Sequence, residues 1–178
     1  MADKRLIGVP LDQVRTNDEE VLGSLYPHKG KIYRWVKNAG STGLTANAVC
    51  LSVITSVADN ALKRVIAPSG AGSSTAVVHM PAGMPVTGIP ASGSATGDHG
   101  WIQVKGVASV KQQQLTTALV AGSFSIASSA IDDAWASNTV PDSASDAKVY
   151  GRRVQLLAPV ATTGAATAVS VAADIQCL

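Results

Sequence analysis

The stretch TGDHGWIQVKGVASV, residues 96–110, has the clearest strand pattern in the chain. Side chains alternate between the two faces of a strand, so Ile102 and Val104 share one face. Trp101, Gln103 and Lys105 share the other face. Gly106 marks a bulge or sharp bend, the usual reason for a glycine within a strand pattern. We therefore expect Ile102 and Val104 to face a β core.

Composition favours short strands that are joined by tight turns. Hydrophobic residues make up 46% of the 178 residues, but alanine supplies much of that total. Charged residues make up 15%, below the roughly 25% of a typical soluble domain. Helical bundles need Leu, Glu and Lys, whereas this chain has many small residues and 16 glycines. The length suits one domain with a sizeable core.

Other segments combine alternation or short apolar runs with flanking turn residues. They are residues 31–38, 48–57, 64–67, 75–80, 84–90, 123–127, 148–157 and 168–178. One face of the last segment carries Val169, Val171, Ala173, Ile175 and Cys177. Residues 81–83 are predicted to form a turn, and residues 132–146 a polar surface loop. The pattern predicts an all-β fold, a small β-barrel or β-sandwich.

Residues 1–30 differ in composition from residues 31–178. They are more charged and contain only short apolar patches, which such a segment cannot bury alone. We expect an extended N-terminal arm that lies on a partner, followed by a β-rich domain. The residues expected to contact the partner are Leu6, Ile7, Val9, Pro10, Leu11, Leu22 and Tyr26. The alternative is a leader that packs on its own domain.

Charge is unevenly distributed along the chain. The net charge of +2 is too small to indicate nucleic acid binding. Residues 65–97 contain no Asp, Glu, Lys or Arg, so we expect much of this stretch to be buried in the core or against another subunit. Tyr33 and Trp35 alternate with basic residues, a pattern that single-stranded nucleic acid can use. We instead expect Tyr33, Trp35 and Trp101 to lie at a subunit or partner interface.

Asp98 and His99 are the best candidates for catalysis, with Ser92 or Ser94 as nucleophile. A catalytic triad depends on spatial arrangement, and the sequence around Ser94 lacks the Gly-x-Ser-x-Gly turn that exposes a nucleophile. We therefore predict that the protein is not an enzyme. No glycine-rich loop has the context of a phosphate or dinucleotide site, so no cofactor is predicted.

Metal ligands and disulfides are not indicated either. Histidines and cysteines lack ligand spacing, so no metal site is predicted. A calcium site is an alternative for the loop that contains Asp132, Asp133, Asp142 and Asp146. We expect Cys50 and Cys177 to be buried free thiols, because free cysteine is among the most buried residue types. A disulfide between them is the alternative.

No segment is predicted to enter or cross a membrane. The first residues lack the apolar run of a signal peptide. Residues 112–131 and 154–173 are long enough to span a bilayer but contain many Ser, Thr, Gln and Gly residues. We expect a soluble protein that is synthesised in a cytoplasm.

Two segments resemble a known family. KGKIYRWVKNAG, residues 29–40, followed by an Ala- and Val-rich strand, resembles small proteins of tailed-phage head gene clusters. GDHGWIQVKGVASV, residues 97–110, resembles their Gly-x-x-Gly-Trp/Phe-x-Gln-Val-x-Gly strand. The turn at residues 120–123, the Gly-Arg strand at 150–153 and the alternating strand at 168–178 follow in the same order. The group is similar to capsid decoration, or cement, proteins of bacteriophages.

The resemblance implies a non-enzymatic virion protein on the outer surface of the capsid. Its partners would be the major capsid protein and copies of itself in a homotrimer, with no nucleic acid, membrane or cofactor. Another virion component, such as a head-fibre base or tail protein, is the main alternative. A small β-fold enzyme or sugar-binding domain that uses Asp98, His99 and Trp101 is a further one.

Overall fold

The structure, a computed structural model, describes residues 8–53, 63–67, 80–113, 118–119, 121–122, 124–127, 135–137, 153–161 and 168–178. Ten strands and no helix lie within these ranges. The strands are β1 (Leu25–His28), β2 (Lys31–Asn38), β3 (Cys50–Ser52), β4 (Arg64–Ile66), β5 (Met80–Pro85), β6 (His99–Gln113), β7 (Phe124–Ala127), β8 (Trp135–Ser137), β9 (Arg153–Leu156) and β10 (Ala168–Gln176). The prediction of an all-β fold is confirmed.

The strands form a closed barrel with additional strands beside it. The order β2–β4–β3–β5–β6 closes because β6 also pairs with β2, which makes a five-strand barrel. On its other side β6 pairs with β10, and β9, β7 and β8 continue the sheet. A parallel pairing of Gln112 with Trp135 then brings β8 back to β6. The strand β6 therefore belongs to both groups of strands.

A break in extended geometry at Gly106 divides β6 into two parts. Gly106 has a φ of 97°, and a Cβ there would lie 2.9 Å from the Gly30 carbonyl oxygen. The Gln103 side-chain amide donates a hydrogen bond of 2.9 Å to the Gly106 carbonyl oxygen, so this backbone acceptor at the break has a partner. Before Gly106, β6 pairs with β2, and from Lys105 onward it pairs with β10. The glycine marks a break within the strand, and the strand continues beyond it.

Alternation predicted the buried face of both long strands correctly. Ile102 and Val104 are fully buried in the barrel core, as expected. In β10 and just after it, the buried side chains are Val171, Ala173, Ile175 and Cys177. The positions between them in β10, which are Ala172, Asp174 and Gln176, are partly or fully exposed. Each of these strand segments therefore contributes one face to a shared core.

The two cysteines are buried free thiols, as predicted. The Cys50 thiol donates to the Gly83 carbonyl oxygen at 3.3 Å. Burial raises the pKa of the Cys50 thiol, and the nearby Cys177 raises it further. The Cys50 side chain therefore stays protonated at neutral pH and acts as a small apolar group.

Some local predictions were wrong. Residues 81–83 lie within β5 and do not form the predicted turn. Gly83 occurs there because its Cβ would lie 2.5 Å from the Gln103 carbonyl oxygen, at a φ of 144° that side chains disfavour. Trp135–Ser137 forms β8 inside the predicted surface loop, and Leu25–His28 forms β1 inside the predicted arm. Of the strand predicted at residues 75–80, only Met80 is described, as the first residue of β5, and residues 75–79 lie outside the described residues.

We expect Gly83→Ala to lower the free energy of unfolding by about 2–4 kcal/mol, because the new Cβ must displace backbone atoms of β6. Gly93→Ala is the control: its φ is also positive, at 78°, but nothing lies within 4 Å of its Cβ position. Its loss should be about 1 kcal/mol. Urea unfolding of both variants measures the difference, and equal losses would contradict the assigned close approach.

Candidate functional site

A segment that we call the N-terminal strap, residues 8–24, lies across the outer side of β2 and β6. Its residue Val9 is fully buried in a cluster with Tyr33, Trp35 and Trp101. These aromatic side chains alternate with the core-facing residues of their strands and so point away from the barrel interior. The partly buried residues around this cluster are Leu11, Leu22, Tyr26 and Val86. The strap thus provides a second apolar layer outside the barrel.

Hydrogen bonds hold the strap in register with β6. The Trp101 indole Nε1–H donates to the Val9 carbonyl oxygen at 3.0 Å. Arg15 forms an antiparallel bridge with His99, in which each backbone N–H donates to the other carbonyl at 3.0 Å. Gly97, with a φ of 114°, permits this approach because its Cβ would lie 2.7 Å from the Arg15 carbonyl oxygen. The glycine before β6 therefore serves strap packing.

The aromatic rings under the strap have favourable relative orientations. The Trp35 and Trp101 rings meet edge to face, with centroids 5.2 Å apart and an interplanar angle of 61°. The His99 ring stacks on Trp35 with centroids 6.4 Å apart. Edge-to-face pairs contribute about 0.5–1.5 kcal/mol beyond the area that they bury. The aromatic residues are therefore part of the protein's own packing.

A charge cluster, buried at Asp98 and His99 and more exposed at Lys37 and Asp18, adjoins the aromatic rings at the start of β6. His99 Nε2 lies 3.0 Å from an Asp18 carboxylate oxygen, and His99 Nδ1 lies 2.6 Å from Asp98 Oδ1. The contact between Nδ1 and Asp98 Oδ1 is close but lacks the alignment of a hydrogen bond. Asp98 Oδ2 accepts a hydrogen bond from the Gly93 N–H at 2.9 Å and lies 3.6 Å from Lys37 Nζ. The cluster joins the strap, β2, β6 and the preceding loop.

The same contacts hold Asp98 in its ionised form. Burial by itself raises the pKa of Asp98. The Gly93 N–H and the cationic groups of His99 and Lys37 more than offset this effect and lower the pKa below its ordinary value. Asp98 is therefore a buried carboxylate anchor at the beginning of β6.

This geometry leaves His99 poorly placed for acid–base catalysis. A general base needs a ring nitrogen within reach of a substrate proton. Both nitrogens of His99 face carboxylates, and only 3% of the residue is exposed. The Ser94 hydroxyl pairs with the Thr96 hydroxyl at 2.8 Å. The arrangement fits a structural attachment point for the strap better than it fits a catalytic dyad.

The prediction that Tyr33, Trp35 and Trp101 lie at a subunit or partner interface is corrected by the structure. Their exposed fractions are 7%, 0% and 1% in the isolated chain, so they offer almost no surface to a partner. The reason is that the strap covers the outward face of β2 and β6. Strand alternation assigned these side chains to the correct face but did not show what covers that face.

The predicted capsid-contact residues have mixed positions. Val9 is buried, and Leu11, Leu22 and Tyr26 are partly buried against the protein's own β domain. The expectation of an arm that lies on a partner is thus corrected for residues 8–28, which follow the alternative of packing on their own domain. Pro10 is exposed. Leu6 and Ile7 lie outside the described residues. The predicted boundary at residue 30 falls in the turn between β1 and β2, which pair as a hairpin.

Sequence patterns missed Arg15, Asp18 and Lys37 as members of the site. Asp18 is 81 positions away from His99 in sequence, so no local spacing connects the two residues. Two exposed apolar residues near the strap were also missed: Val21 and Leu25 are 74% and 40% exposed. The only available signal was the short apolar patches that contain them.

Comparison with protein-family models, with curated proteins and with solved structures gives no match. Within the described residues, no helix is long and apolar enough to cross a membrane. In the same part of the chain, no three His, Cys, Asp or Glu side chains are grouped as metal ligands would be. The residues of the alternative calcium loop, Asp132, Asp133, Asp142 and Asp146, lie outside it.

Truncating Val9 tests the packing of the strap. We expect Val9→Ala to lower the free energy of unfolding by about 1–3 kcal/mol, because it leaves a cavity between buried aromatic rings. It should also increase quenching of tryptophan fluorescence by acrylamide, since the strap covers Trp35 and Trp101. Pro10→Ala, at the exposed neighbouring position, is the control and should change neither quantity appreciably. Equal effects of the two substitutions would contradict the assigned packing.

Asp98 should make stability depend on pH. Because its pKa is lower in the folded than in the unfolded chain, the ionised carboxylate stabilises the fold above the ordinary carboxyl pKa of about 4. That stabilisation is lost as pH falls through the lowered folded pKa. Asp98→Asn should lower the free energy of unfolding by about 1–3 kcal/mol at neutral pH.

Urea unfolding from pH 7 to pH 3 measures this effect, and the gap between wild type and Asp98→Asn should narrow below about pH 4. Asp12→Asn serves as the control because Asp12 is exposed and has no ion pair with a described residue. A gap that stays constant across the range would show that the charge of Asp98 contributes nothing.

Proposed function

We propose that this protein is a structural, non-enzymatic component of a bacteriophage virion that binds the outside of the assembled capsid and stabilises it. The observation that carries the proposal concerns the segment that resembles decoration proteins. Gly100–Gly106 lies in β6, the strand shared by the barrel and its additional strands. The resemblance therefore lies in the central element of the fold.

The state of the candidate catalytic residues supports a non-enzymatic role. His99 has carboxylates against both ring nitrogens, and Trp101 donates its indole N–H to the strap. These are two of the residues on which an enzymatic or sugar-binding alternative would depend. Their contacts are explained by strap attachment, so no observation favours that alternative.

Exposed apolar residues on and beside the strap supply the contact surface for the capsid. Val21 is 74% exposed and Leu25 is 40% exposed, and Pro10 is exposed near the start of the strap. Large apolar side chains that remain in water gain free energy when a partner covers them. The docking surface that we propose thus uses these residues in place of the buried members of the expected set.

Stabilisation of the capsid would follow from mass action. A subunit that binds only the assembled shell lowers the free energy of that state and shifts the equilibrium away from disassembly. The homotrimer implied by the family resemblance would strengthen modest individual contacts through multivalent binding. The partner in this proposal is the major capsid protein, and the location is the outer surface of the virion.

The test is binding to purified, expanded capsids of the phage that encodes this chain, prepared without this protein. Wild type should co-sediment with the capsids and raise their melting temperature. Val21→Asp combined with Leu25→Asp should weaken binding by at least about tenfold, since charges replace apolar contact residues.

Ser41→Asp, a charge placed at an exposed loop position, is the matched control and should bind as wild type does. Circular dichroism establishes that each variant is folded. Absence of wild-type binding to the capsids would overturn the proposed function. Wild-type binding that is unchanged by the double substitution would overturn only the assigned docking surface.

A further inference from the structure

Within the strap, residues 16–22 form an exposed segment that we call the strap loop. Most of its side chains are exposed, and the exposed fraction of the Asp18 side chain is 54%. Among the described residues, the one polar contact of this loop with β2 or β6 joins Asp18 to His99 Nε2 at 3.0 Å. Leu22 adds a partly buried apolar contact. The attachment of the strap loop therefore depends on the contact between Asp18 and His99.

Backbone hydrogen bonds hold the strap on both sides of this loop. Before it, Arg15 forms the antiparallel bridge with His99. After it, the Gly23 N–H donates to the Trp35 carbonyl oxygen at 2.8 Å, and the Trp35 N–H donates to the Ser24 carbonyl oxygen at 3.0 Å. The loop can therefore leave the barrel locally while both of its ends stay in place. Local opening of such a segment costs less free energy than global unfolding.

The His99 ring lies between two carboxylates, and this placement makes its protonation state important. Nε2 faces Asp18, and Nδ1 lies 2.6 Å from Asp98 Oδ1. A neutral imidazole carries one N–H, so its other ring nitrogen has a free lone pair. In either tautomer, that electron-rich nitrogen would lie within 3.0 Å of a carboxylate oxygen. Only the imidazolium has a hydrogen on both nitrogens and a positive charge between the two acids.

The two carboxylates differ in how firmly they are held. The Asp98 side chain is only 5% exposed, accepts a hydrogen bond from the Gly93 N–H and lies 3.6 Å from Lys37 Nζ. Asp18 is more than half exposed, and its one ion pair with a described residue is the contact with His99. Water can replace His99 as the partner of Asp18, whereas Asp98 is buried away from water. Loss of the charge on the ring therefore releases Asp18 and leaves Asp98 in place.

The other charged groups around His99 do not hold the strap loop on the barrel. Lys37 lies opposite His99 in the register of β2 and β6, but its ammonium group contacts Asp98. Arg15 contacts His99 through its backbone, and its guanidinium group pairs with Glu19 at 3.1 Å, within the strap. The attachment of the loop to β6 therefore follows the charge on His99.

We propose that His99 is a proton-controlled latch for the strap loop: the charged ring holds Asp18 on β6, and loss of the ring proton releases residues 16–22. The two carboxylates favour the protonated ring, so the loop is held on the acidic side of the transition and released as pH rises. We expect release between about pH 6 and pH 9, since histidine is the side chain that ordinarily changes charge near neutral pH.

The latch also affects a residue of the proposed docking surface. Val21 belongs to the strap loop, so the charge on His99 would control whether this exposed apolar side chain is held in a fixed position. The latch is argued from contacts within the free chain. It does not depend on the proposed capsid function.

A nitroxide spin label at position 17 measures the mobility of the loop directly. Asn17 is exposed, so Asn17→Cys supplies an attachment site without removing a packed side chain. The native Cys50 and Cys177 are fully buried and should not react with the label. The electron paramagnetic resonance spectrum should be broad at pH 6 and narrow at pH 9, with a rotational correlation time at least about twofold shorter at the higher pH.

Three substitutions in the labelled chain separate the latch from general effects of charge. Asp18→Asn removes the carboxylate that the charged ring attracts, so the label should be mobile at both pH values. Glu19→Gln is the matched control, because Glu19 is the neighbouring exposed acid and pairs with Arg15. It should keep the pH-dependent change of the labelled wild type. His99→Gln cannot titrate in this range, so its spectrum should not change with pH.

Circular dichroism at both pH values verifies that each variant is folded, so that a narrower spectrum reports the loop. A wild-type spectrum that is the same at pH 6 and pH 9 would overturn the latch. So would a pH dependence that persists in Asp18→Asn, or one that Glu19→Gln removes. If His99→Gln does not fold, the comparison of Asp18→Asn with Glu19→Gln decides the question alone. None of these measurements involves capsids, so their failure is distinguishable from failure of the proposed function.

Discussion

The pairing of β6 with β2 on one side and β10 on the other is the constraint on which the structure depends. In this shared strand, the side chains that face the core are buried both before and after Gly106 along the chain. In its first half the outward face, which carries Trp101, must also be covered. The strap supplies that cover by burying Val9 against Trp35 and Trp101. Strap and barrel therefore form one packed unit.

The charge cluster at His99 follows from the same constraint. Burying the Asp98 carboxylate is unfavourable unless it has partners, and its contacts with His99 and Lys37 supply them. Asp18 comes from the strap, Asp98 and His99 from the start of β6, and Lys37 from the end of β2. Asp98 and His99, which are candidates for catalysis in the sequence, thus lie where three parts of the chain meet. The candidates for catalysis in the sequence therefore connect the strap with β2 and β6.

Among the described residues, the exposed large apolar side chains lie in two separate parts of the protein. Val21 and Leu25 lie on the strap and the edge hairpin, where the proposed capsid contact is made. Val107 lies on the part of β6 that pairs with β10, and Leu157 directly follows β9.

Much of the fold follows from local pattern, because strand alternation depends on a repeat of two residues. The bounds of β2, the buried face of β10 and the core positions Ile102 and Val104 were predictable for that reason. The strand β8 could not be predicted in this way, because Trp135–Ser137 is too short and its sequence neighbours are too polar for an alternating pattern. Gly83 was assigned to a turn because sequence does not reveal that a neighbouring carbonyl oxygen leaves no room for a Cβ.

The sequence by itself determined the β class and the inward face of each long strand. These properties depend on residue type and on spacing within a few positions. Only the tertiary structure decided what lies outside Trp101: the strap, held by Arg15 and Asp18 through contacts with His99. Those contacts join residues about 80 positions apart, and long-range pairing of this kind leaves no periodic trace in a single sequence.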